Sequence, residues 1–145
     1  MRASYHIAIS AGISLGLQAT WHSGAATLGC FLSGIFIDID HYLEYYIFRK
    51  QFPFRYKDLV KYCDYNQERK LYLFFHAYEY LFVLGLLICF FHFSKAWLGV
   101  TIGLTTHLVL DQWANPIKPL FYFLTFRAKN RFEKTKILSE KYFQR

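Results

Sequence analysis

Residues 96–113 read AWLGVTIGLTTHLVLDQW. This stretch predicts one long helix, in which Asp111 is the only charged residue. Gly99, Gly103, His107 and Asp111 recur every four residues, so they share one helical face. The two glycines allow another helix to approach closely. The stretch therefore predicts a packed helix that carries two candidate metal ligands toward its neighbour.

The same spacing recurs in an earlier apolar stretch, residues 23–37. Ala26, Cys30, Gly34 and Asp38 also follow one another every four residues. Small residues again precede a carboxylate at the end of the stretch. We therefore predict that both stripes face other helices and that their polar ends point into a bundle.

Four stretches of the chain are almost free of charged residues. Their approximate bounds are 3–19, 23–37, 71–93 and 96–113. We interpret them as membrane-spanning helices, which need about 20 apolar residues each. Because 145 residues leave room for one domain, the predicted fold class is an all-α integral membrane four-helix bundle over residues 1–145.

Two further segments are predicted to be interfacial helices. Residues 38–70 are rich in aromatic side chains, and Pro53 should break any helix that they form. Residues 120–126 are apolar but too short to span a bilayer, so we predict that they lie at its surface.

The 17 lysine and arginine residues predict an orientation. Seven lie in residues 38–70 and eight follow Trp113, whereas the connections near 21–23 and 92–96 together carry one. Since basic residues mark the cytoplasmic side, we predict that both termini are cytoplasmic. The basic tail, about residues 127–145, is predicted to be solvated and to bind anionic lipid headgroups. We prefer this explanation of the net charge of +7 to nucleic-acid binding.

Histidines and acidic residues collect at helix ends that we predict to lie on one side of the membrane. The candidate metal ligands are His6, Asp38, Asp40, His41, His76, Glu79, His107 and Asp111. His22 and His92 fall at the opposite side and are poor candidates. Imidazole and carboxylate ligands without thiolate suit zinc, manganese or iron, and zinc is our first expectation. Eight candidates exceed the needs of one ion, so we predict two ions, with Asp38 or Glu79 as the general base.

Each of these motifs also has a simpler structural interpretation. His6 is also compatible with an interfacial position, and residues 38–41 with a helix cap. His76 and Glu79 are compatible with a pair within one helix at spacing i, i+3. Glu44 is more typical of an exposed surface residue than of a further ligand. The simpler interpretations together require four independent coincidences of depth, so we favour the metal site.

The order of the motifs resembles a family of small bacterial inner-membrane proteins described as membrane-bound metal-dependent hydrolases, which includes a LexA-regulated member. The matching elements are an early histidine (His6), Gly-x3-Asp-Ile-Asp-His (Gly34 to His41), His76, and His-x3-Asp (His107 to Asp111) followed by Asn115-Pro116. The resemblance implies metal-dependent hydrolysis in a bacterial inner membrane, with His6, Asp38, Asp40, His41, His76, His107 and Asp111 at matching positions.

One segment departs from that family. The family often shows His-Arg-Gly-x-Thr-His-Ser where this chain has His76-Ala77-Tyr78-Glu79. The arginine and the second histidine are missing, and Glu79 is a candidate replacement ligand. The departure bears on the substrate more than on metal binding.

These observations predict a hydrolase that cleaves an ester or phosphoester, most plausibly of a lipid, at the cytoplasmic membrane face. Membrane lipids are the predicted partners. The first alternative is a di-iron redox enzyme, although such centres typically use Glu-x-x-His pairs. The second is a non-enzymatic metal-binding membrane protein or transporter, although a transporter should place its ligands near the midplane.

Overall fold

The computed structural model describes residues 3–51, 55–65, 68–91, 94–115 and 117–143. The described chain is helical, which confirms the all-α class, and it divides into two compact units. The first unit comprises Met1–Ile37 and Ala77–Asn115, and the second comprises Asp38–His76 and Pro116–Arg145. In chain order the helices are α1 (Ala3–Trp21), α2 (Gly24–Phe36), α3 (Ile39–Arg49), α4 (Tyr56–Tyr65), α5 (Tyr78–Phe91), α6 (Lys95–Ala114), α7 (Leu124–Lys129) and α8 (Lys134–Ile137), followed by a 3-10 helix at Glu140–Tyr142.

Small residues bring α2 and α6 into close contact in the first unit. A Cβ atom at Gly99 would lie 2.1 Å from the carbonyl oxygen of Ala26, and one at Gly103 would lie 2.2 Å from that of Cys30. No side chain fits at such distances, so glycine is required at both positions. The Ser33 hydroxyl also donates a hydrogen bond from α2 to α6. The prediction that both small-residue stripes contact another helix is confirmed.

The predicted membrane spans are wrong. Among the residues that the structure describes, no helix is both long enough and apolar enough to cross a membrane. α2 and α5 have 13 and 14 residues, whereas a span needs about 20. α1 and α6 have 19 and 20 residues, but polar residues such as Gln18 and Asp111 lower their mean hydropathy. The predicted multi-pass inner-membrane location, with cytoplasmic termini, therefore finds no support.

The third apolar stretch differs most from its predicted form. We expected a helix over residues 71–93, but α5 begins at Tyr78, and residues 71–77 form a loop. Residues 92–93, and therefore His92, lie outside the described chain. Asp40 accepts hydrogen bonds from two backbone amides of the loop, and Arg127 donates to three of its carbonyls. These side chains satisfy the backbone in place of a helix.

The long segment 38–70 forms two helices of the second unit, α3 and α4. Tyr45 of α3 and Tyr62 of α4 form an edge-to-face contact, with ring centroids 5.0 Å apart. The helices are separated in the chain, as predicted, although Pro53 itself lies outside the described residues.

The basic C-terminal segment is not the solvated tail that we predicted. Arg127 and Ile137 are 0% exposed and Lys134 is 4% exposed. An antiparallel bridge pairs Lys70 with Glu133. The segment is therefore part of the core of the second unit. Its binding to anionic headgroups stays a prediction.

Candidate metal centre

Helices α1 and α6 bring three of the candidate ligands together in the first unit. The rings of His6 and His107 stack with centroids 3.8 Å apart. The Nε2 atom of His6 lies 3.0 Å from Oδ1 of Asp111, and Nε2 of His107 lies 3.5 Å from Oδ2 of the same carboxylate. All three side chains are buried. The Asp111 carboxylate therefore faces two imidazoles in surroundings that hold little water.

The orientation of His107 is fixed from its other side. Its Nδ1 lies 2.8 Å from the carbonyl oxygen of Gly34, so Nδ1 carries the proton and donates. Nε2 of His107 faces Asp111, and it is the atom that a neutral imidazole protonated at Nδ1 would offer to a metal ion. Gly34 itself has no room for a side chain, since a Cβ atom there would lie 2.3 Å from Oγ of Ser10. Histidines that bind metal ions are typically oriented by such a second hydrogen bond.

The charge of Asp111 depends on these two histidines. Burial on its own raises the pKa of the Asp111 carboxyl, but hydrogen bonds to His107 and His6 outweigh it and hold the pKa well below the ordinary 3.8. Asp111 is therefore ionised at neutral pH, as a metal ligand must be. Tyr78 lies near enough for the Asp111 charge, added to burial, to raise the pKa of its phenol.

A second set of candidate ligands lies in the second unit. Oδ1 of Asp38 lies 3.8 Å from Nε2 of His41 and 3.6 Å from Nε2 of His76. These distances are longer than hydrogen bonds. They are close to the roughly 3.4 Å that separates two ligand atoms on one tetrahedral ion with bonds of about 2.0–2.1 Å. Asp38 precedes α3 at the N-cap position, but its side chain makes no capping hydrogen bond.

Asp40 holds His76 in place. Its Oδ2 lies 3.1 Å from Nδ1 of His76 and accepts hydrogen bonds from the backbone amides of Phe75 and His76. With Nδ1 protonated and donating to Asp40, Nε2 of His76 is left as the ligand atom on the side of Asp38. Asp40 therefore orients the ring of His76, and its own role as a ligand stays a prediction.

Four of the candidate side chains offer an atom that could bind a metal ion. They are Asp38 and His76 in the second unit and His107 and Asp111 in the first. Three of the four are buried and Asp38 is half-buried. The prediction that these residues could bind metal is confirmed to this extent, while the identity and number of the ions stay predictions.

The remaining candidates have different surroundings. Glu79 lies in the first turn of α5 and is half-buried, outside the four-residue group. The simpler interpretation of Glu79 and His76 as a pair within one helix is wrong, because His76 lies in the loop before α5 begins. His22, which we predicted to be a poor candidate, is exposed.

Sequence reasoning missed buried charges in the second unit. Glu44, predicted to be exposed, is 3% exposed, and it accepts a hydrogen bond of 2.7 Å from the backbone amide of Tyr72. Burial raises the pKa of Glu44 to about 7, although Tyr72, Lys134 and Arg127 oppose the shift. Burial also lowers the pKa of Lys134. The spacing of Asp40 and Glu44, one helical turn apart, was the available signal that both point into the core.

Comparison of the chain with protein-family models, with curated proteins and with solved structures finds no match. The resemblance to membrane-bound metal-dependent hydrolases therefore stays a prediction from the motifs.

Proposed function

We propose that the protein binds divalent metal ions, through Asp38 and His76 in the second unit and through His107 and Asp111 in the first, and that it hydrolyses a phosphoester or ester. The spacing of the ligand atoms carries the proposal. Nε2 of His76 lies 3.6 Å from Oδ1 of Asp38, and Nε2 of His107 lies 3.5 Å from Oδ2 of Asp111. Both distances are close to the roughly 3.4 Å between two ligand atoms that share a tetrahedral ion.

The donor set fits a divalent ion. Each unit supplies a pair of imidazole and carboxylate ligands, which suit zinc, manganese or iron. His76 and His107 each present Nε2 while Nδ1 is held by an acceptor, as is usual for metal-binding histidines. In addition, Nδ1 of His6 is buried and has no hydrogen-bond partner within the described chain. With His6 in the first unit and His41 in the second, each unit has three candidate ligands for one ion.

The hydrolytic role follows from the chemistry of such a site. A bound divalent ion lowers the pKa of water toward 7 and polarises a phosphoryl or carbonyl oxygen. The side chain of Asp38 is 25% exposed, whereas that of Asp111 is 5% exposed. Asp38 is therefore the carboxylate that reaches water, and we assign to it the acceptance of the proton from the attacking water. Asp111 stays ionised and holds its two histidines.

The alternatives make different predictions about the metal. A di-iron redox centre in a helical bundle typically takes glutamates from Glu-x-x-His pairs. In the part of the chain that the structure describes, no glutamate belongs to the candidate group. A protein that only stores or carries metal would bind the ion and hydrolyse nothing.

A substrate screen tests the proposal. Purified protein would be stripped with a chelator, loaded with zinc, manganese or iron, and incubated with simple phosphoesters, carboxylic esters and lipid phosphates in detergent micelles. We expect one of these ions to restore hydrolysis, and Asp38→Asn to reduce it at least about a hundredfold, which corresponds to roughly 3 kcal/mol of transition-state stabilisation. Hydrolysis that is equal in the stripped and loaded proteins would contradict the proposal.

A further inference from the structure

Arg127 lies at the centre of the second unit and binds one loop. It is 0% exposed. Its Nη1 donates hydrogen bonds of 2.6 Å to the carbonyl oxygens of Tyr72 and Leu73, and its Nη2 donates one of 2.7 Å to that of His76. A buried guanidinium requires several acceptors, and this one takes them from both ends of residues 72–76.

The loop has little regular backbone structure of its own. Leu73 adopts a left-handed conformation with φ of 43°, which residues with a side chain rarely adopt. Within the loop, the amide of His76 lies 3.3 Å from the carbonyl oxygen of Leu73, a long hydrogen bond. The shape of the loop therefore depends on the side chains that bind it.

Two side chains hold the loop, one through its backbone amides and the other through its backbone carbonyls. Asp40 binds the amides of Phe75 and His76, and Arg127 binds the carbonyls. The residues just before α7 add ring contacts, since Arg127 lies over Phe121 and the ring of Tyr122 stacks beside His76 at 5.9 Å. The C-terminal segment therefore contacts both the backbone carbonyl and the imidazole ring of His76.

We propose that Arg127 is a positioning residue, which fixes the carbonyl side of the His76 loop and thereby sets how tightly His76 and Asp38 bind a metal ion. The inference rests on the proposed metal site. Lysine would keep the charge at position 127, but its single ammonium group is not a planar fork and does not reproduce the three bonds. Arg127→Lys therefore tests the geometry of the hydrogen bonds while the positive charge is kept.

The experiment uses the full chain with the substitutions Arg127→Lys and Arg127→Met. Arg131→Lys is the matched control, because Arg131 lies in the same segment but is exposed. Affinity for zinc would be measured by calorimetric titration, and circular dichroism would confirm that each variant is folded. We expect Arg127→Lys to weaken zinc binding about 10–100-fold, the usual effect of losing the support of a metal ligand, and Arg131→Lys to bind like the wild type. If Arg127→Met does not fold, Arg127→Lys decides.

A second readout does not depend on metal. Nitrogen NMR of the metal-free protein reports which nitrogen of His76 carries the proton. We expect Nδ1 to be protonated in the wild type and in Arg131→Lys, and the two tautomers to mix in Arg127→Lys. Unchanged zinc affinity together with unchanged His76 signals in Arg127→Lys would overturn the inference while leaving the metal site intact. Absence of zinc binding in the wild type would instead refute the proposed function, and the NMR comparison would still decide the role of Arg127.

Discussion

The imidazole rings of His6 and His107 stack with centroids 3.8 Å apart, and the Asp111 carboxylate lies against both. The two histidines come from α1 and α6, which are far apart in the sequence. The two rings come together because α1 and α6 both pack against α2. Ser10 of α1 lies against Gly34 of α2, and the backbone of Cys30 in α2 lies against Gly103 of α6. Helix packing and ligand geometry in the first unit are therefore coupled.

A larger residue at position 103 should disrupt both the packing of α2 against α6 and the geometry of the ligands. A Cβ atom at this position would lie 2.2 Å from the carbonyl oxygen of Cys30, so we expect Gly103→Ala to cost about 1–3 kcal/mol of unfolding free energy and to reduce metal binding. Gly12→Ala is the matched control, because nothing lies within 4 Å of a Cβ atom there. It should stabilise α1 by about 0.5–1 kcal/mol. Urea unfolding of both variants checks this, and equal stabilities would show that α2 and α6 are not in close contact.

Asp40 should act through the tautomer of His76. Asp40→Asn removes the charge that holds the Nδ1 proton of His76, and we expect metal affinity to fall about 10–100-fold. Asp58→Asn, at an exposed position on α4, should have no effect. Zinc titrations of the two variants make the comparison. A larger loss from Asp58→Asn than from Asp40→Asn would rule out the orienting role.

Glu44 should make stability depend on pH. Its pKa is about 7 in the folded protein against an ordinary 4.5, so the folded state holds a proton that the unfolded state releases between these values. Its contribution to stability is therefore fully present below pH 4.5 and is lost as the pH rises through 7, a change of about 3 kcal/mol. Lys134 and Arg127 face the same carboxyl and lower its pKa, whereas Asp40 raises it.

Comparison of the wild type with Glu44→Gln isolates this effect. The amide stays neutral but still accepts the hydrogen bond from Tyr72. We expect the unfolding free energy of the wild type, relative to the variant, to decrease from pH 4.5 to pH 7 in urea titrations. A difference that stays constant with pH would mean that Glu44 is solvated.

Local spacing predicted the features that depend on one helix. The four-residue repeat of Gly99, Gly103, His107 and Asp111 identified the packed face of α6 correctly, because helical periodicity is a property of the local chain. The same reasoning failed for residues 71–77. Their apolar composition suits a helix, but Asp40 and Arg127, distant in sequence, satisfy the backbone of the loop instead.

The burial of charge was also beyond local reasoning. The composition of residues 127–145 is that of a solvated basic tail, yet Arg127 finds carbonyl acceptors and Lys134 lies near Glu44. Apolar stretches likewise suggested membrane spans, because hydropathy read from sequence does not show where a helix ends. α5 begins at Tyr78, because the residues predicted to form its first turns belong to the loop that carries His76.

The most direct test of the account is a zinc titration by calorimetry of the chelator-treated wild type, of His76→Ala with His107→Ala, and of His22→Ala. His22 is exposed and lies outside the candidate group. We predict that the wild type and His22→Ala bind zinc with the same stoichiometry and affinity, and that the double substitution abolishes binding. Equal binding by all three proteins, or no binding by the wild type, would contradict the claim that Asp38 and His76, and His107 and Asp111, bind metal ions.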